Sequence, residues 1–242
     1  MSATVPAAPP HPPAWGADAY AEALRRGRGP LYLRRTDGWL LPLDVARWCA
    51  PADAADLAAL RRCEGSVLDI GCGPGRLVAA LTAPGRRVLG IDVSPAAVAR
   101  TAAAGGAALC RSVFDSLPEE GSWGTALLLD GNIGIGGDPR ALLARTAALV
   151  HRTGLLLVET APEDVDERAR VGVAGDPYAD HHTAVTFPWA RVGTSALLRY
   201  ADAAGWTPVE RWTATEPGQS PSAARRFVAL RRCRSLPTAR RG

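Results

Sequence analysis

Between residues 67 and 158 short apolar runs alternate with stretches of helical periodicity. Val67 to Ile70 is apolar except for Asp69 and predicts a buried strand that stops at a glycine. Leu77 to Ala83 has helical spacing, and Arg87 to Ile91 predicts a second strand ending at Asp92. Ser94 and Pro95 open a helix to about Ala104, followed by a third strand over Ala107 to Cys110. A fourth, very apolar strand, Thr125 to Leu129, ends at Asp130. Asp138 and Pro139 then start a helix to about Val150, and Gly154 to Val158 is a fifth strand ending at Glu159. Strict alternation of strand and helix predicts an α/β fold, a mostly parallel sheet with helices on both faces. Right-handed crossovers put the ligand site at the carboxyl ends of such strands.

The flanks break the pattern. Residues 1 to 14 hold five prolines and read as a flexible leader, in which His11 has no assigned role. Residues 15 to 64 read as a cap of helices and a hairpin. Ala17 to Arg26 places Tyr20, Ala23 and Leu24 on one side; Leu31 to Arg35 and Trp39 to Leu43 flank the turn T-D-G; Asp44 caps a stretch through Trp48; and Ala52 to Arg62 turns Leu57 and Leu60 inward. The principal domain spans 65 to 232, and within it the acids, glycines and prolines of 160 to 189 predict an irregular insertion on the substrate side. Gly193 to Ala204 returns to helix. Trp206 to Trp212 and Arg225 to Arg232, joined by loop alone, predict a closing antiparallel hairpin before a flexible tail, 233 to 242.

Composition removes several chemistries. All 28 basic residues are Arg, so a Schiff-base lysine, a P-loop lysine and a Tyr-x-x-x-Lys pair are excluded. Seven Arg and no acid fall in residues 224 to 242, leaving 21 basic against 24 acidic residues elsewhere, which argues against a nucleic-acid-binding patch. The five cysteines have no C-x-x-C spacing and read as reduced thiols, and no metal-ligand spacing occurs. With no run of 18 apolar residues, the expectation is a cytoplasmic protein with no membrane partner; oligomeric state leaves no signature.

The chemistry gathers at V-L-D-I-G-C-G-P-G-R, residues 67 to 76. Gly71, Gly73 and Gly75 let a ligand approach the backbone around Cys72, and Pro74 suits a helix start. Asp92 stands 21 residues after Gly71, where a carboxylate accepts from both hydroxyls of a ribose, so the pattern spells adenosine. Asp69 ahead of the loop would repel a pyrophosphate but suits the ammonium of a zwitterion; otherwise it braces the loop. L-D-G-N-I-G-I-G-G-D-P, residues 129 to 139, holds Asn132, the only Asn, together with Gly131, and reads as a second backbone surface facing the ligand. Asn132 is alternatively a left-handed turn residue.

In these motifs the chain resembles the class I S-adenosylmethionine-dependent methyltransferases, small-molecule type, over roughly Val67 to Val158. D-I-G-C-G-P-G looks like their first motif, Asp92 and Val93 in G-I-D-V-S like their ribose-binding acid and its neighbour, and S-V-F-D-S-L-P, residues 112 to 118, like their adenine-binding stretch. The family commonly has Asp where Ser112 stands, so Ser112 or Asp115 would hold the adenine amino group, with the backbone at Val113 or Phe114 facing the ring; Phe114 is otherwise plain core. The resemblance implies a Rossmann-like seven-stranded sheet closed by the antiparallel hairpin. It implies S-adenosyl-L-methionine as cofactor, S-adenosyl-L-homocysteine as its product, and Asp130 and Asn132 nearest the methyl group.

Methyl transfer to an oxygen or nitrogen of a small-molecule acceptor requires a base only when the acceptor must lose a proton. His181 and His182 are the candidates, with Asp130 beside them; a solvated pair of loop histidines is the plainer reading. Glu159 is a second acceptor contact, and Trp189 and Arg191 are a possible acceptor wall. The rivals are an NAD(P)-dependent Rossmann oxidoreductase, disfavoured by Asp69 and the G-x-G-x-G spacing, and a protein that binds the cofactor without catalysis.

Overall fold

The computed structural model describes residues 18–176, 178, 185–215 and 224–232. The leader, His11, His181, His182 and the tail lie outside them.

Each apolar run of the alternating segment is a strand: β3 (Val67–Ile70), β4 (Val88–Asp92), β5 (Ala108–Cys110), β6 (Trp123–Leu128) and β7 (Val150–Thr160). With β10 (Trp206–Ala214) and β11 (Arg225–Arg232) they form a seven-stranded sheet in the order β10-β11-β7-β6-β3-β4-β5. The five strands from β7 to β5 are parallel, whereas β11 runs antiparallel to both neighbours, as the missing helix between the last two strands requires. Two apolar layers sandwich this sheet. Leu142 and Leu143 of α6 (Pro139–Leu149) and Ala196 and Leu197 of α7 (Thr194–Ala203) pack one face. Ala59 of α3 (Ala54–Leu60) and Leu77, Val78 and Leu81 of α4 (Arg76–Thr82) pack the other. Side chains cap the helices as expected: Ser94 accepts from the Ala97 N–H at the start of α5 (Pro95–Ala103), and Asp138 accepts from the Arg140 and Ala141 N–H groups. In α3, Leu60 is buried but Leu57 is 42% exposed, because Ala55 and Ala59 provide the inward face instead.

The stretch from 160 to 189 departs from expectation. It contains β8 (Asp166–Ala174) and the start of β9 (Phe187–Val192). These strands join β1 (Tyr32–Arg35) and β2 (Leu40–Pro42) in a second, antiparallel sheet of order β2-β1-β8-β9. The strand was illegible in D-E-R-A-R-V-G-V-A because charges fall on both of its faces. Glu167 pairs with Arg191, while Arg168 on the other face donates to the Tyr200 hydroxyl. Alternation of apolar and polar positions is thereby blurred. The amino-terminal segment and the expected insertion thus complete one layer, with α1 (Asp18–Arg26) and α2 (Val45–Cys49) beside it. Tyr20, Ala23 and Leu24, on one side of α1, are buried.

Candidate active site

A cavity of about 880 Å³ opens where β3, β4 and β6 end, at the point where the strand order reverses. Its floor is Ile70 to Gly73. Gly71 has φ +73°, and a Cβ there would stand 2.6 Å from Asn132 Nδ2, so glycine is required by both conformation and space. Asn132 donates to the carbonyls of Ile70 (2.9 Å) and Gly71 (3.1 Å), tying the ends of β3 and β6 together. It sits in a 3-10 turn; the left-handed residues of this loop are Asp130 (φ 57°), Gly131 (φ 80°), Gly136 (φ 77°) and Gly137 (φ 70°).

Asp92 lines the cavity and braces the loop, accepting from the Gly73 N–H (2.9 Å) and the Ser94 N–H (2.8 Å). Burial raises its pKa above the usual carboxylate value, and the backbone donors oppose that rise. Val93 and Phe114 also border the cavity and are 41% and 44% exposed, so Phe114 is not core. Ser112 and Asp115 close a turn with their side chains: Ser112 N–H donates to Asp115 Oδ2 (3.0 Å) and Phe114 N–H to Ser112 Oγ (3.2 Å). Val113 is buried against the core, its carbonyl accepting from Arg145.

Three expected contacts do not lie on the wall. Gly75 caps α4 with its Cα against Thr101, and Gly131 faces open space. Asp69 is only 1% exposed beneath the loop, and its Oδ2 has no hydrogen-bond partner among the described residues. Burial pushes its pKa up to about 7 against the pull of Arg76, helped by the nearby charges of Asp130, Asp92 and Asp56. Asp69 is therefore a buried acid under the site rather than a contact on its wall. Cys72 borders the cavity, with its thiol pushed up by burial and turned against Gly90.

Asp130 stands in a buried ionic cluster that the sequence did not disclose. Its Oδ1 accepts from Arg47 (2.5 Å) and its Oδ2 from Arg76 (2.7 Å). Arg76 also forks onto Asp56 (2.8 and 2.9 Å), and Arg225 reaches Asp56 (2.8 Å) and Glu159 (2.7 and 2.8 Å). Glu159 in turn accepts from the Asp130 N–H (2.8 Å). Burial alone would raise the pKa of Asp130, but the Arg76 and Arg47 guanidiniums outweigh it and hold the carboxyl well below the usual range. Both oxygens are occupied, so Asp130 is a fixed anion and a poor proton acceptor, and Glu159 is likewise engaged. Arg47, Asp56, Arg76 and Arg225 come from α2, α3, α4 and β11, and only the fold shows that they converge.

The far wall comes from outside the seven-stranded sheet. Tyr20 and Trp48 meet edge to face at 6.4 Å between ring centroids, and Phe187 and Trp189 do so at 6.2 Å. Trp189 borders the cavity as expected. Arg191 does not, since it pairs with Glu163 and Glu167 and lies over the Trp39 ring. Of the glycines after β6, only Gly136 reaches the cavity. A Cβ on Gly134 would stand 2.1 Å from the Ala190 carbonyl, and one on Gly137 would stand 2.6 Å from Pro188, so both serve close packing on β9. Among the described residues no cluster of three or more His, Cys, Asp or Glu is placed to hold a metal ion, and no helix is long and apolar enough to cross a membrane.

Residues 67–154 match the family model described as a methyltransferase domain. Among solved structures, a SAM-dependent methyltransferase from Bacteroides fragilis, in complex with S-adenosyl-L-homocysteine, is similar at 19% identity with a TM-score of 0.67, covering 93% of this chain and 98% of that one. The 1,6-didemethyltoxoflavin-N1-methyltransferase of Burkholderia thailandensis, with bound 1,6-didemethyltoxoflavin and S-adenosylhomocysteine, is 18% identical with a TM-score of 0.57, covering 94% and 93%. The CcbJ methyltransferase from Streptomyces caelestis is 16% identical with a TM-score of 0.55, covering 77% and 92%. No curated protein sequence matches. The overall architecture is thus that of the S-adenosylmethionine-dependent methyltransferases. Within it, residues 67–154 are the part that the methyltransferase-domain model matches.

Proposed function

We propose that this protein binds S-adenosyl-L-methionine across the ends of β3 and β4 and transfers its methyl group to an oxygen or nitrogen of a small-molecule acceptor. The observation that carries the reading is a single cavity bordered on one side by the Gly71–Gly73 loop and Asp92, and on the other by side chains of the second sheet and α1 and α2. A nucleoside and a second molecule can meet there.

The residues fit the cofactor. The carboxylate of Asp92 keeps acceptor capacity beyond its backbone bonds, as two ribose hydroxyls need. Val93 and Phe114 are apolar, exposed and on the wall, so a flat base would cover them. Gly71, Cys72 and Gly73 would carry the nucleoside, Ser112 and Val113 the base edge, and Asn132 and Asp130 would border the amino-acid end. Asp69, Gly75 and Gly131 would act by shaping these loops.

When bound, the cofactor supplies a methyl group on a sulfonium, which leaves without acid assistance. The chain's task is then to hold the acceptor in line and exclude water. Asn132 and the Arg76–Asp130 pair fix the strand ends on which that alignment depends. A base for an acceptor that must lose a proton would be His181 or His182. Their place along the chain between β8 and β9, both of which border the cavity, supports that role. The unpaired thiols suit a cytoplasmic setting.

Calorimetry of the full chain with S-adenosylmethionine, S-adenosylhomocysteine and NAD tests the reading. The first two are expected to bind, and Asp92→Ala to weaken both by about tenfold or more. Binding of NAD alone would overturn it, and mass spectrometry of acceptor mixtures would report transfer.

A further inference from the structure

The chain has only 7 Trp, 4 Tyr and 3 Phe. Tyr20, Trp48, Phe114, Phe187 and Trp189 all border the one cavity, and four of these five stand on α1, α2 and β9 rather than on the cofactor-side strand ends. Val185, 56% exposed, extends that apolar side. A wall of this composition fits a flat, apolar ring system, which edge-to-face aromatic pairs hold by stacking and by their edges.

The charges on the wall give the second half of the argument. Its carboxylates are engaged: Asp92 and Asp115 by backbone N–H groups, and Asp130 by Arg47 and Arg76. Arg170 and Arg111 also border the cavity, and neither meets a carboxylate among the described residues. Arg111 stands on the β5 loop beside Ser112, on the cofactor side. Arg170 belongs to β8, on the acceptor side. It is held by Thr186 alone, through Nε to Oγ1 (3.1 Å) and Nη2 to the carbonyl (2.5 Å), which leaves Nη1 without a partner among the described residues. A guanidinium steadied in this way, with donors to spare, suits a carboxylate or an ionised phenol.

We propose that the acceptor is a planar aromatic molecule bearing an anionic group, its ring against the β9 side of the cavity and its charge on Arg170. This rests on the methyltransferase reading of the same cavity.

The test is calorimetry on the full chain, alone and saturated with S-adenosylhomocysteine. The probes are salicylate, hydroxynaphthoate, the amides of both, and tyramine. The acids are expected to bind about tenfold or more tightly than their amides, hydroxynaphthoate more tightly than salicylate, and tyramine least. Arg170→Gln should abolish the acid-over-amide preference while keeping amide affinity, Arg170→Lys should restore part of it, and Arg111→Gln should leave it intact. Phe187→Leu should weaken acid and amide alike. The proposal is overturned if amides or tyramine bind as well as the acids, if the preference survives Arg170→Gln, or if no aromatic probe binds to protein that binds S-adenosylhomocysteine. Failure of S-adenosylhomocysteine to bind, with an Arg170-dependent acid preference intact, would instead count against the cofactor reading.

Discussion

Arg76 and Asp130 meet at two points, Nη1 to Oδ2 at 2.7 Å and Nη2 to Oδ1 at 3.2 Å, linking the first turn of α4 to the end of β6. The same guanidinium grips Asp56 of α3, which is fully buried, so one side chain joins three elements at the cavity edge. Removing one partner of such a cluster leaves an opposite charge stranded. Asp130→Asn keeps the side-chain shape and tolerates the left-handed backbone, so it tests charge alone. It should lower stability by about 3–5 kcal/mol in denaturant unfolding.

The cluster also sets a response to acid. Burial raises the pKa of Asp56 but Arg76 and Arg225 lower it further, and Asp130 is lowered by Arg76 and Arg47. Groups whose folded values are depressed add stability above their unfolded values, near 4, and lose it as pH falls through the folded ones. Melting temperature should therefore fall steeply below about pH 4, and less steeply in Asp130→Asn.

Asp69 has the opposite sign. Its pKa in the folded protein is raised to about 7, so its contribution is full below the unfolded value and is lost as pH rises through 7. Asp69→Asn should leave the melting temperature near that of the parent at pH 5 and raise it at pH 8. An equal effect at both pH values would show that burial does not govern this acid.

Gly71→Ala places a methyl group 2.6 Å from Asn132 Nδ2 at φ +73°. It should weaken S-adenosylhomocysteine binding and lower stability. Asn132→Gly in the same chain should recover part of the loss by removing the clash, although the backbone strain remains. A strictly additive double mutant would refute the contact.

Gly134→Ala pushes a Cβ to within 2.1 Å of the Ala190 carbonyl, on β9. Stability should fall by about 1–3 kcal/mol. Because the disturbance enters from the second sheet, aromatic probe binding should suffer more than S-adenosylhomocysteine binding.

The sequence by itself determined the seven-stranded sheet, its closing hairpin and the glycine loop with Asp92. These depend on local pattern: apolar runs ending in glycine or acid, Ser94 and Asp138 as caps, and regular alternation between strand and helix. Three things were decided only by tertiary structure. The second sheet pairs residues 32–42 with residues 166–192, a partnership between distant segments whose charged faces hide the strand period. The ionic cluster draws Arg47, Asp56, Arg76, Asp130, Glu159 and Arg225 from six separate elements and loops, and no spacing along the chain announces it. The glycines after β6 had looked like a ligand surface, but Gly134 and Gly137 admit β9 instead. Whether a bare backbone faces a ligand or a neighbouring strand depends on what packs against it, and that is a property of the folded chain.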